Sequence, residues 1–543
     1  MIPNRPAQNS DQPISVLIIG SGFAGLGMAI QLQKAGIQDF QIVEKGEDVG
    51  GTWRENHYPG CACDVQSHLY SFSFEPNPGW SRMFSPQPEI WDYLRGCARK
   101  YELLPKISMN TQVVSAVFDE AAGLWQVQVA DGAAMTHYLR SKGLHLGDAL
   151  DITDPELPPR RTLTTHVLVS AMGGLSVPAY PSIKGLESFT GKSFHSQDWD
   201  HQYDFKNKRV AVIGTGASAI QFVPQIQPQV AKLDLYQRTP PWLMPKLDWK
   251  MSRLEKWLFR RLPLVQRLYR YVIYGLREFT VLAFAVHPRL MKLPERAARG
   301  HIRRQIRNPE LREKVTPKFT FGCKRVLLSN DYYPALDQPN VDVITTGIRE
   351  VRANSIVTTD GIERPLDAII FGTGFKVSDP LPRGAIIGRN GVDMLDAWKD
   401  GPEAYKGTTV AGFPNLFMLV GPNVGLGHSS MIYMIESQVR YVMDALRVMR
   451  ENGGKFVDVK PTALAEYNAR LQEKHKTAIW NVGGCTSWYR HPNGKNVALW
   501  PGFTWQFRRA TRRFDAEVYN LEPLQNAVGT QAFVSKNADA SSA

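Results

Sequence analysis

Residues 15–45 read SVLIIGSGFAGLGMAIQLQKAGIQDFQIVEK. An apolar run leads into Gly20-x-Gly22-x-x-Gly25, a helical stretch follows, and a second apolar run ends at Glu44. That order of strand, glycine loop, helix and strand predicts a dinucleotide-binding unit. Gly20 permits the tight turn, Gly22 lets backbone approach a pyrophosphate with Ala24 beside it, and Gly25 allows close packing of helix on strand. Glu44 follows Gly25 by 19 residues. An acid there suits a ribose 2′-hydroxyl and repels a 2′-phosphate, so the loop predicts FAD or NAD rather than NADP.

The pattern returns at 208–239, KRVAVIGTGASAIQFVPQIQPQVAKLDLYQRT, as Gly214-x-Gly216-Ala217-Ser218-Ala219. Here the second strand ends in Arg238-Thr239 with no acid. A guanidinium can hold a 2′-phosphate through two hydrogen bonds, which points to NADPH. Two loops of different preference imply two dinucleotides, one held as a prosthetic group and one delivering hydride. The expected fold is therefore α/β, with two Rossmann-like domains.

The segments 167–178 (VLVSAMGGLSVP) and 365–375 (PLDAIIFGTGF) read as outward and return crossings between the domains. They divide the chain into an FAD-binding domain from 14–174 and 371–527 and an NADPH-binding domain from 175–370. A helical subdomain is expected within the latter at about 250–320. Residues 1–13 and 528–543 read as flexible tails, the last being small and polar. The stretch 134–166 has no counterpart in this scheme.

Length and composition are compatible with this plan, since 543 residues exceed what one core supports. The five cysteines, Cys61, Cys63, Cys97, Cys323 and Cys485, show no C-x-x-C and no metal-ligand spacing. They predict neither a disulfide framework nor a structural metal, and a reducing, cytoplasmic compartment. Residues 1–13 lack the pattern of a secretory signal, and the longest apolar run, 279–286, is too short to span a bilayer.

Charge is concentrated in one place. Residues 251–330 hold 19 Lys or Arg against 5 Glu and no Asp. Arginines alternate there with Trp, Leu, Tyr and Phe at helical intervals, a pattern compatible with an anionic membrane surface. The preferred expectation is a helical subdomain with its apolar stripes packed inward. No nucleic-acid-binding module accompanies the charge, so nucleic acid is not expected.

Two longer patterns carry a family resemblance. At 189–200, FTGKSFHSQDWD places Phe189, Gly191, His195, Trp199 and Asp200 as F-x-G-x-x-x-H-x-x-x-W-D. At 50–64, GGTWRENHYPGCACD fits G-G-x-W-x-x-x-x-[FY]-P-G-x-x-x-D. Both resemble the type I Baeyer-Villiger monooxygenases, and the likeness extends over nearly the whole chain. In the N- and S-oxygenating branch of the same class, an aromatic followed by Lys or Arg usually replaces Trp-Asp.

The resemblance implies an enzyme that uses FAD, NADPH and O2, through a C4a-peroxyflavin, to convert a ketone into an ester or lactone. It places Gly51, Thr52, Trp53, Asp64, Tyr70 and Met431 at FAD and makes His195 and Trp199 part of a hinge that lets NADPH shift. Lys324-Arg325, within FGCKRVLLSNDYYPAL (321–336), resembles the family's Lys-Arg pair. It assigns Lys324 to NADPH phosphate, and gives Arg325 the stabilisation of the peroxide and of the oxyanion formed on ketone addition. Asp64 would orient that arginine, and Trp488 would meet the nicotinamide ribose from a mobile segment. An N- or S-oxygenase and an NADPH-dependent flavin reductase are the alternatives. Cys61 and Cys63 lack a flavin-disulfide spacing and read as packing residues.

Overall fold

The computed structural model describes residues 12–145, 147, 148, 150, 154–377, 382–453 and 456–522. The tails expected at 1–13 and 528–543 therefore fall, apart from Gln12 and Pro13, outside the described residues.

Two sheets organise the chain. The first has eight strands, ordered Ile386–Ile387, Thr111–Asp119, Leu124–Asp131, Arg160–Ser170, Ile14–Ile19, Phe40–Val43 and Ile107–Ser108, with Leu416–Met418 also pairing with Arg160–Ser170. Its centre is parallel: Ile14–Ile19 lies between Phe40–Val43 and Arg160–Ser170. Val16, Leu17 and Ile18 have no exposed surface, as expected of a strand covered on both faces. The second sheet is wholly parallel, ordered Val341–Ile344, Lys232–Tyr236, Arg209–Ile213, Ala368–Phe371 and Lys192–His195.

All strands of the second sheet fall between residues 192 and 371, while the first takes strands from both sides of that interval. Helix Phe23–Lys34 packs on the first sheet together with helix Met431–Glu451, whose Ile432, Ile435 and Val439 join the same core as Leu26 and Ile30. This core continues to Val210, Val212 and Ile370 of the second sheet, so one apolar interior serves both. The stretch 134–166 contains most of helix Gly132–Ser141 and the start of strand Arg160–Ser170.

Between the paired strands Leu243–Met244 and Leu327–Leu328 the chain forms helices Arg253–Arg261, Pro263–Phe279, Lys292–Gln305 and Pro309–Val315. Their orientation corrects one expectation. Most apolar side chains of Pro263–Phe279 face outward, with Leu264 75% and Phe279 72% exposed, while Gln266 and Glu278 are buried beside Ile273. Polar contacts to the first domain, described below, outweigh the usual preference for an apolar face inside.

The cysteines supply a second correction. Cys323 and Cys485 form a disulfide across 162 residues of sequence. The expected absence of disulfides is overturned, and the argument for a reducing compartment goes with it. Cys61, Cys63 and Cys97 are buried free thiols, and burial pushes Cys61 up to about 12, which makes it inert. Among the described residues no helix is long and apolar enough to cross a membrane.

Candidate active site

The two glycine loops open at the carboxyl ends of their strands, where α/β sheets bind ligands. Gly20 and Gly214 take φ of +98° and +108°, so both turns need glycine. Gly22 faces Gly51 of the GGTW turn, with only 3.5 Å between the Cα of Gly51 and the position a side-chain carbon on Gly22 would take. A side-chain carbon on Gly51, at φ +52°, would in turn lie 3.0 Å from the Cα of Gly22, so the two bare backbones form a close cradle that fits a pyrophosphate.

Glu44 is buried and closes this loop, accepting hydrogen bonds from Ser21 N (2.9 Å), Ser21 Oγ (2.7 Å) and Gly46 N (3.0 Å). Trp53 donates to the Tyr70 hydroxyl at 3.1 Å, and Tyr70 meets Phe23 at the head of the first helix edge-on, with centroids 5.4 Å apart. Thr52 begins the short helix Thr52–Glu55, and Met431 is the first residue of helix Met431–Glu451, capped by Ser430.

At the second loop, Gly216 and Ala217 are exposed, Ser218 precedes helix Ala219–Ile226, and Ala219 is buried against Gly372. Thr215 Oγ1 donates to the Thr239 carbonyl at 3.1 Å. Arg238 at the strand end lies near Lys324. Burial and the adjacent Arg238 charge both hold the Lys324 ammonium below its ordinary range. Two cations brought together in this way fit a doubly charged phosphate.

Asp64 and Arg325 form the chemical centre of the arrangement. Arg325 Nε and Nη2 donate to Asp64 Oδ2 and Oδ1, each at 2.7 Å, and Nη1 donates to the Leu426 carbonyl at 3.1 Å. Burial by itself would raise the Asp64 carboxyl, but the charge and hydrogen bonds of Arg325, reinforced by Arg277, hold it below the usual carboxylate range. Asp64 in turn raises the guanidinium further. The pair is thus ionised at any working pH.

The fingerprint residues lie at the edge of the second sheet, in a segment that touches the first domain through Gln197. A side-chain carbon on Gly191 would lie 2.5 Å from the Asp367 carbonyl and 2.6 Å from the Phe189 ring, so this glycine lets Phe189 fold back over the strand. His195 ends strand Lys192–His195 opposite Phe371 and is fully buried. Its Nδ1 accepts from Gln197 N at 3.2 Å, which leaves the proton of the neutral ring on Nε2. Burial pushes His195 down to about 4. Trp199 packs on Phe222 of the second-loop helix at 5.1 Å, and Asp200 pairs with Lys192 at 2.6 Å. Gln197 reaches across to Glu55 of the first domain at 3.3 Å.

Several neighbours were not legible in the sequence. Tyr489 is buried beside Arg325, whereas Trp488, the residue expected at the nicotinamide ribose, is 49% exposed and packs edge-on against Tyr489 at 4.6 Å. Arg277 donates to Gln66 Oε1 at 2.9 Å and to the Asp64 carbonyl at 3.3 Å. Gln221 of the second-loop helix accepts from the Tyr58 hydroxyl at 3.0 Å and donates to the Ala62 carbonyl at 3.0 Å, a second tie between the domains. Arg277 had a signal, since it shares a helical face with Gln266, Arg270 and Glu278. Periodicity shows such a face but not the side it turns to.

Residues 18–86 match the NAD(P)-binding Rossmann-like domain family, and residues 163–270 match the flavin-binding monooxygenase-like family. The chain is 56% identical over 526 residues to a Baeyer-Villiger monooxygenase of Pseudomonas aeruginosa, covering 95% of this chain and 94% of that one. Among solved structures it resembles OTEMO in complex with FAD and NADP (TM-score 0.79, 25% identity, 94% of this chain and 100% of that one). It also resembles an oxidised steroid monooxygenase bound to NADP (TM-score 0.76, 28% identity, 93% and 99%). With the two dinucleotide cradles, the bridging fingerprint and the Asp64–Arg325 pair already in place, these likenesses show that the chain belongs to the Baeyer-Villiger monooxygenases.

Proposed function

We propose that the chain is an FAD-containing, NADPH-dependent monooxygenase that inserts one oxygen atom beside a ketone carbonyl. Ketone, O2, NADPH and a proton give an ester or lactone, water and NADP+. The observation that carries this reading is the two-pronged Arg325–Asp64 ion pair beside both cradles.

The first cradle, with Gly20, Gly22, Ala24, Gly25, Glu44, Gly51, Thr52 and Trp53, would hold FAD, with Tyr70 and Met431 at its edge. Gly214, Gly216, Ala217, Ser218 and Ala219 would hold NADPH, with Arg238, Thr239 and Lys324 at its 2′-phosphate. Bound there, NADPH supplies the hydride and FAD the activation of oxygen.

Oxygen insertion beside a carbonyl develops negative charge on the attacking and the carbonyl oxygens. Arg325 can stabilise that charge without giving up a proton, because a guanidinium remains protonated at any working pH. Asp64 is a positioning residue that fixes the plane of Arg325. Arg277 supports Asp64 from behind, and Tyr489 and the Leu426 carbonyl flank the guanidinium of Arg325, whose side chain keeps 36% of its surface exposed. His195, neutral and buried at the end of the second sheet's edge strand, and Trp199, seated on the second-loop helix, would keep the NADPH-binding domain in register while it moves.

The test is product analysis with isotopically labelled dioxygen. The purified yellow protein, NADPH and a panel of ketones, an amine and a thioether are incubated, and the products are analysed by mass spectrometry. Ester carrying one labelled oxygen supports the proposal. Oxygenation of the amine or thioether alone would make the chain an N- or S-oxygenase, and NADPH consumption with no labelled product would make it a reductase.

A further inference from the structure

Helix Pro263–Phe279 is inverted relative to a helix on a water-facing surface. Leu264, Leu268, Tyr271, Val272, Leu276 and Phe279 recur at helical spacing and are 51% to 75% exposed. The opposite face turns inward and joins buried Ile273 and partly buried Tyr269 and Tyr274 to a set of polar side chains. Gln266 donates to the Asn77 carbonyl at 2.8 Å, Arg270 to the His68 carbonyl at 2.8 Å and the Ser71 carbonyl at 3.0 Å, and Arg277 to Gln66 at 2.9 Å. Glu278 accepts from Thr504 N and Oγ1 at 2.9 and 2.6 Å.

These bonds clamp the helix. Turning the apolar stripe inward would strand several buried polar groups, each costly to leave unpaired. The stripe is therefore a fixed outer face, and it continues onto helix Arg253–Arg261 through Leu254 (71% exposed) and Trp257 (54%). Water-facing surfaces rarely carry so much contiguous apolar side chain without a partner.

Charge identifies the partner. Arg253, Arg260, Arg261 and Arg267 surround the stripe, all exposed and none in an ion pair among the described residues. The acids on these two helices are already engaged: Glu255 closes a capping box with Ser252, and Glu278 is buried against Thr504. A second copy docking through the same face would bring these arginines onto one another, since a two-fold contact pairs like with like. A bilayer with anionic headgroups satisfies both features, taking the apolar side chains at the acyl boundary and the arginines at the phosphates.

We infer that helices Arg253–Arg261 and Pro263–Phe279 form a peripheral docking face for anionic membranes. Aromatic Trp257, Tyr271 and Phe279 lie at the headgroup level, and Leu264, Leu268 and Leu276 enter the hydrocarbon boundary. The same helix holds Asp64 from its inner side through Arg277, so the docked face and the reaction centre are separated by one helix.

The full-length flavin-bound protein is sedimented with vesicles of phosphatidylcholine alone and of equal parts phosphatidylcholine and phosphatidylglycerol, at low and high salt. It should follow the anionic vesicles at low salt and release at high salt. The double variant L268Q/L276Q and the triple variant R260Q/R261Q/R267Q should each lower partitioning about tenfold or more, with flavin content and NADPH oxidation unchanged. Protein left in the supernatant with anionic vesicles at low salt overturns the inference. So does undiminished binding by L268Q/L276Q, and so does a dimer that this variant dissociates on gel filtration without any lipid binding, which would make a second copy the occupant.

Discussion

Arg325 and Asp64 stand 261 residues apart in sequence, yet two of the three guanidinium nitrogens are held by the two oxygens of one carboxylate, each at 2.7 Å. A fork-to-fork pair fixes a plane as well as a position, which a single ammonium cannot do. The first domain supplies the carboxylate and the second the cation, so the pair forms only when the two are docked.

Removing the guanidinium tests this directly. Arg325→Ala should lower ester formation by about two to three orders of magnitude while flavin remains bound. Arg325→Lys should recover little, because one ammonium cannot take both Asp64 oxygens. Asp64→Asn should keep the charge but loosen its aim, giving a smaller loss and more NADPH consumed per ester formed. Parallel assays of NADPH oxidation and ester yield separate these outcomes. A fully active Arg325→Ala would remove Arg325 from the chemistry.

Cofactor choice rests on a different pair. Lys324 has its charged form disfavoured by burial and by Arg238, a repulsion that a 2′-phosphate relieves. Arg238→Ala or Lys324→Ala should raise KM for NADPH about tenfold or more and leave KM for NADH nearly unchanged. The ratio of the two kcat/KM values is the measurement. Equal effects on both nucleotides would place these cations away from the 2′-phosphate.

The disulfide makes a claim that can be counted. Cys323 directly precedes Lys324-Arg325, and Cys485 opens the segment carrying Trp488 and Tyr489, so the bond ties the cation to the segment that covers it. Denatured protein should titrate three thiols without reductant and five after reduction. Cys485→Ser should cost about 2 to 4 kcal/mol of stability and speed proteolysis near residue 485. Five thiols without reductant would show that the bond does not form.

What the sequence conveys here is what is encoded locally. Glycine loops and the Phe189–Asp200 fingerprint are legible because each fixed residue answers a backbone constraint within a few positions, as Gly191 does for Phe189. Periodicity likewise announces that 263–279 has two faces. It cannot announce which is inside, because that depends on acceptors at His68, Ser71 and Asn77, almost two hundred residues earlier. Cys323 and Cys485 were unreadable as a pair for the same reason, and Tyr489 was masked by its more conspicuous neighbour Trp488.

Three buried histidines contribute most strongly to the acid side of stability. Burial holds His68, His195 and His475 each at about 4, against about 6.5 in an unfolded chain. As pH falls through 6.5 the unfolded state binds these protons and the folded state refuses them. Stability is therefore highest above about pH 6.5 and declines until about pH 4, where the folded rings also protonate. Three such groups give at most about 4 kcal/mol per pH unit. Asp64 does not contribute in this window, because its depressed carboxyl loses its stabilising effect only at more acid pH. Burial also holds His57, His166 and His301 below their ordinary range, so denaturant unfolding followed from about pH 7 to pH 5 should show a falling midpoint with proton uptake of about three or more, and His195→Gln should remove about one of them. A midpoint constant across that range would mean that the three rings take up protons inside the fold.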